Sequence, residues 1–204
     1  MKKTSILAIA TGALLMVSCF SSRGLLGTQY DVRLASVESP ANAKQQFGDT
    51  KIVKSSDNDI DKYRYEDDYI VIVWYVTSKE FHFQLTNKSS HSIKLNWDDM
   101  SYVSVGGQVQ RVMHSGVKYM EKNNSQPATT VPRGATISDL LLPTDNVYYV
   151  SGQYGGWRTR KLVRSDEAVG KTMTILMPIV IENVQNDYTF VFSVDKPAAA
   201  TQQQ

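Results

Sequence analysis

The sequence predicts an all-β fold, an antiparallel sandwich of short strands with irregular loops, on three observations. Apolar residues recur at every second position in two clear windows: Phe81, Phe83 and Leu85, then Tyr188, Phe190, Phe192 and Val194. A period of two lines one face of a strand. Turn-forming residues punctuate the chain at intervals of roughly 8–12 residues, the spacing of sandwich strands. No βαβ alternation is visible, and no internal repeat indicates a propeller or solenoid.

Taken in order, residues 30–37 read as a first strand. Ser39-Pro40 opens residues 41–47, a helical turn or two with proline at its first position. From Tyr63 onward the texture is β. Residues 69–76 (Tyr-Ile-Val-Ile-Val-Trp-Tyr-Val) form a continuous apolar run too short for a buried helix, expected as a central strand covered on both faces. Residues 81–86 alternate as a half-buried strand. Asn87 to Ser90 turns the chain, and Ile93, Leu95 and Trp97 alternate on the return, so Trp97 belongs to the core. Val103 and Val105 lead into Gly106-Gly107 with Val109 beyond, a hairpin signal. Residues 114–134 are the least regular part and are expected as a long loop. Within it, Val131-Pro132-Arg133-Gly134 has the proline and glycine positions of a turn. Strands resume over 135–142 and 147–150. Residues 152–157 read as a Gly/Tyr/Trp loop. A final strand pair covers 173–181 and 188–194, joined by the polar residues 182–187.

Ahead of this domain, Lys2 and Lys3 precede an apolar run over 6–17, shorter than the ~20 residues of a spanning helix. Small Ser18 then precedes Cys19, the only cysteine among 204 residues. The stretch Leu15-Met16-Val17-Ser18-Cys19 resembles the lipobox of bacterial lipoproteins, in which cleavage before the cysteine leaves a thiol that carries lipid. The expected organisation is a signal peptide (1–18), a lipidated tether (19–29), the β domain (30–196) and a disordered tail (197–204). No thiol then remains for a disulfide, so the core alone holds the fold.

Charge excludes one class of partner. The chain carries 22 basic and 20 acidic side chains. Losing Lys2 and Lys3 leaves 20 against 20, a neutral balance with no call for nucleic acid, which requires a clustered basic face.

The search for chemistry returns little. No Gly-x-Ser-x-Gly elbow is present, the single thiol is committed to lipid, and no carboxylate can be assigned to the adjacent His114-Ser115. His82, His91 and His114 lack metal-ligand spacing. Asp57-Asn58-Asp59-Ile60-Asp61 opens like a calcium loop, but Lys62 stands at the sixth position where glycine is needed and Asp68 at the twelfth in place of glutamate. An acidic loop leading into the strand at 69–76 is expected instead. The sequons at Asn87 and Asn123 fall in expected surface turns. No enzyme and no cofactor are therefore predicted. The aromatic residues remain. Tyr154-Gly155-Gly156-Trp157 sets two rings on a glycine-rich loop, and Tyr119 lies in the irregular segment 114–134. Tyr154, Trp157 and Tyr119 are the candidate ligand or partner contacts.

The block Phe81, Asn87, Ser89, Ser92, Ile93, Leu95, Trp97 and Asp98, with the Gly106-Gly107 hairpin and the Val131–Gly134 turn, resembles small Ig-like domains of bacterial lipoproteins. With the lipobox, it is similar to outer-membrane lipoproteins of Bacteroidetes-like bacteria. That resemblance implies an Ig-like β-sandwich anchored in the bacterial outer membrane through lipid on Cys19. Phe20-Ser21-Ser22-Arg23 is not acidic, which by the sorting rules of such lipoproteins implies a periplasmic-facing protein. The expected role is an interaction or accessory module contacting other envelope proteins, with carbohydrate binding through the loop aromatics as the alternative.

Overall fold

The computed structural model describes residues 30–38, 51–57 and 60–196. Cys19, the expected signal peptide and tether, the helical turn at 41–47 and the tail at 197–204 lie outside the described residues. Among the described residues fourteen strands run in order: β1 Asp31–Glu38, β2 Lys51–Asp57, β3 Ile60–Glu66, β4 Ile70–Val76, β5 Phe81–Asn87, β6 Ile93–Leu95, β7 Ser101–Val103, β8 Val109–Met113, β9 Thr129–Val131, β10 Thr136–Pro143, β11 Val147–Val150, β12 Gly156–Thr159, β13 Thr172–Ile181 and β14 Val184–Asp195. The described chain is all-β and every strand pair is antiparallel.

Twelve strands form one sheet in the order β1-β14-β13-β7-β8-β10-β5-β4-β3-β2, with β6 on β13 and β9 on β6. The sheet curls until it is nearly closed, like a barrel. Rings from its two halves meet inside. Trp74 on β4 packs on Phe190 at 5.0 Å and Phe192 at 5.5 Å on β14, and Phe81 on β5 meets Phe192 at 5.0 Å. Each such ring pair adds about 0.5–1.5 kcal/mol beyond the area it buries.

Local sequence explains the best-defined hairpin. Glu182 and Asn183, both at positive φ, make a two-residue turn between β13 and β14. That backbone matches strand twist, and asparagine tolerates it. The connection is thus shorter than the polar stretch 182–187 suggests, because residues 184–187 continue the ladder. On its other edge β13 pairs with β7 over residues 174–176 and with β6 over 179–181. Pro178 lies between these two short ladders, where its missing N–H interrupts neither.

Several expectations need correction. β4 is not covered on both faces: Ile70, Ile72 and Trp74 are buried, while Val71, Val73 and Tyr75 are only half-buried. Of the acidic stretch, Asp57 ends β2 paired to Ile60, and Asp61 lies on β3, held by Lys54 at 2.7 Å. β2 carries no clear alternation and is exposed over 51–56, which is why its sequence did not read as a strand. The segment 114–134 is not a simple loop. It contains a 3-10 turn at Tyr119–Glu121 and strand β9, and Asp98 accepts from the Ser125 hydroxyl and the Gln126 amide. Asn87 is buried rather than in a surface turn. Its amide donates to the carbonyls of His91 and Val131, and its Oδ1 accepts twice from Ser89.

One buried carboxylate ties the two halves together. Asp67, between β3 and β4, accepts from the hydroxyls of Tyr65 (3.0 Å) and Tyr188 (2.9 Å) and the amides of Tyr69 and Ile70 (both 2.8 Å). Burial pushes its carboxyl above the usual aspartate range against these four donors. Its own burial, and then the charge and hydrogen bond of Asp67, hold the Tyr188 phenol far above the ordinary value.

Candidate functional site

β11 and β12 form a separate two-stranded hairpin, with Val147 opposite Thr159, Tyr149 opposite Trp157 and Val150 opposite Gly156. Trp157 is therefore a strand residue and not part of a loose loop; the turn proper is residues 151–155. Gly155 makes that turn possible. A Cβ there would stand 2.5 Å from the Val150 carbonyl and 2.8 Å from that of Gly152, closer than any side chain tolerates. Its amide closes the turn by donating to the Gly152 carbonyl at 2.9 Å.

The hairpin extends a small core outward. Met113, Leu142 and Val147 form a second buried cluster, covered by Val117, Tyr119 and Leu140. Two residues beyond Val147, on the same strand face, Tyr149 meets Trp157 edge to face at 5.6 Å. Tyr119 reaches Trp157 from the 3-10 turn at 6.3 Å. The Lys122 ammonium clamps this turn to the base of the hairpin, donating to the carbonyls of Thr144 at 2.7 Å and Val147 at 2.6 Å. Arg160 lies over the Tyr148 ring on the opposite face at 4.5 Å. Trp157 is 36% exposed and Tyr154, at the tip, 85%; Tyr149, Val150 and Met120 are exposed as well. An apolar patch fed from a core and open to solvent at its outer end has the anatomy of a contact surface.

Of the three nominated residues, the structure brings Tyr119 and Trp157 together. Tyr154 stands apart at the tip, with no ring contact among the described residues. Tyr149 and Met120 were not singled out in the sequence; only the strand register and the 3-10 turn bring them to the patch. The Trp157 ring lies 71° from Tyr149 and 62° from Tyr119, so these three do not make a flat stacking platform.

The histidines occupy three different places. His114 stacks on Trp97 at 4.1 Å and meets the Asp139 carboxylate through Nδ1 at 3.2 Å. A carboxylate partner therefore exists where none could be assigned from sequence. Ser115 reaches Asp139 through its backbone amide, however, and among the described residues no serine hydroxyl bonds His114, so the arrangement lacks the nucleophile–base contact of a hydrolase. His82 meets Glu80 at 3.1 Å and stacks on Tyr75, and His91 meets Glu182 at 2.9 Å. Among the described residues no group of three potential metal ligands occurs.

No protein-family model and no curated protein matches this chain. Among solved structures, an X-ray structure of a Northeast Structural Genomics Consortium target is similar, at 12% identity and a TM-score of 0.29, over 85% of this chain and 92% of that one. A likeness of that size carries no assignment.

Proposed function

We propose that this chain is a lipid-anchored protein of the bacterial outer membrane, held by Cys19 and facing the periplasm, whose β domain docks other envelope proteins without catalysing a reaction. In this proposal the curled sheet is an Ig-like sandwich with its two layers continuous through β7, β8 and β10. The observation that carries the docking role is the patch of Tyr119, Tyr149 and Trp157, which projects from the second buried cluster into solvent. Large rings fixed by packing bind at low entropic cost, which is why they dominate interface energetics. Tethering by lipid supplies the local concentration that a modest patch needs.

The test is photo-crosslinking in cells with the probe at Met120 or Tyr154. Discrete protein adducts are expected, and Trp157→Ala combined with Tyr149→Ala removes them while the thermal midpoint stays within a few degrees. Adducts that persist unchanged in the double variant would refute the role of the patch. Carbohydrate binding is a second proposal, favoured by the solvent-facing ring of Tyr154 alone.

A further inference from the structure

A second site lies where the β7–β8 hairpin meets the segment 160–171. A cavity of about 220 Å³ opens there, and none of its lining residues belongs to the aromatic patch. Its wall is pinned from several sides. The Leu162 amide donates to the Ser78 carbonyl at 2.9 Å, the Tyr30 hydroxyl to Asp166 at 2.9 Å, and the Gly170 amide to the Val194 carbonyl at 2.8 Å. The cavity is thus a preformed feature of the fold.

Part of its polar lining is unspent. Tyr102 is 1% exposed and Asn146 8%, yet no described residue hydrogen-bonds the Tyr102 hydroxyl or the Asn146 carboxamide. Gln110 Oε1 is buried beside them with no partner. Unmatched, Gln110 Oε1 costs about 1–3 kcal/mol, while the Tyr102 hydroxyl and the Asn146 carboxamide present free polar edges to the cavity, a lining suited to a polar occupant. At the mouth stand Arg164 and Lys171, neither in an ion pair with a described residue, against the single acid Glu167. Burial pushes the Tyr102 phenol up to about 12, with Arg164 pulling it down, so the hydroxyl is a neutral donor and acceptor.

We propose that this cavity binds an acidic monosaccharide unit, its carboxylate at Arg164 and Lys171 and its hydroxyls on Tyr102, Gln110 and Asn146. Size sets the upper limit. At ~30 Å³ per water the cavity equals about seven waters, room for roughly a dozen non-hydrogen atoms. Drug-sized molecules need more, commonly ~300 Å³ and upward. Hydroxyls suit the three neutral groups because each hydroxyl both donates and accepts. A free ammonium would face two cations, which disfavours an amino acid.

The test titrates the full chain in detergent micelles with glucuronic acid and with glucose, read by saturation-transfer NMR and calorimetry. Saturable binding of glucuronic acid, about tenfold tighter than glucose, is expected from one charge-assisted hydrogen bond. Arg164→Gln, at an exposed position, abolishes that preference. Gln110→Leu weakens both sugars, and Trp157→Ala changes neither. Absence of saturable binding, equal affinity for the two sugars, or loss through Trp157→Ala would each overturn the proposal. The last would put any sugar on the aromatic patch, so the two sites fail separately.

Discussion

Replacing Asp67 by alanine tests whether a single carboxylate couples the halves of the sheet. The side chain accepts four hydrogen bonds, and three of the donors, the hydroxyls of Tyr65 and Tyr188 and the Ile70 amide, lie in the core. Each orphaned buried group costs about 1–3 kcal/mol, and water entering the vacated space relieves part of it, so Asp67→Ala should cost about 3–5 kcal/mol. Against a total stability of about 5–15 kcal/mol that is a large fraction. Asp67→Asn keeps an acceptor for the two amides while the hydroxyls rotate, and should cost only about 1–2 kcal/mol. Urea unfolding of the full chain, followed by tryptophan fluorescence, measures both. Acid adds a signed check. With the native carboxyl titrating above its unfolded value, the native state binds the proton more tightly. The stability due to Asp67 is therefore fully present below the ordinary aspartate pKa and falls as pH rises through the raised one. The advantage of the natural chain over Asp67→Asn should shrink in that direction. A loss below about 1 kcal/mol for Asp67→Ala, or an advantage that grows with pH, would refute the reasoning.

Two further predictions concern the anchor and the patch. Cys19→Ser should abolish lipid labelling and release soluble protein or trap the precursor, with the thermal midpoint of the domain unchanged. A variant still membrane-bound after a salt wash would show that lipid on Cys19 is not the anchor. Gly155→Ala should force the turn at 151–155 to shift, costing about 1–3 kcal/mol of local stability, since its Cβ meets two carbonyls. Faster amide exchange across β11 and β12 reports it, and unchanged exchange would mean the turn accepts a side chain.

The strands that bury one face wholly were legible in the sequence. Phe81, Phe83 and Leu85, and Tyr188 through Val194, sit inward as their alternation requires. β2 was not legible, because an exposed edge strand has no apolar period to read. β9 escaped for a different reason: three residues are too few for any pattern, and only pairing with β6 defines them. At the patch, Trp157 and Tyr119 stood out as rings in irregular sequence. Tyr149 joined them only through register, and Asp139 reached His114 from 25 residues away. The cavity at Tyr102 was invisible for the same reason, since its walls come from segments some 60 residues apart.

The pairing of β1 with β14 carries a consequence for how the chain is made. Leu34 lies opposite Phe192, so the earliest described strand finds its neighbour only when nearly the whole polypeptide exists. At ~5–20 residues per second of synthesis, the delay is about ten to thirty seconds. Until then Trp74 lacks Phe190 and Phe192, and the first half has no closed interior. Such wiring leaves the first strands without their closing partner until synthesis is nearly complete.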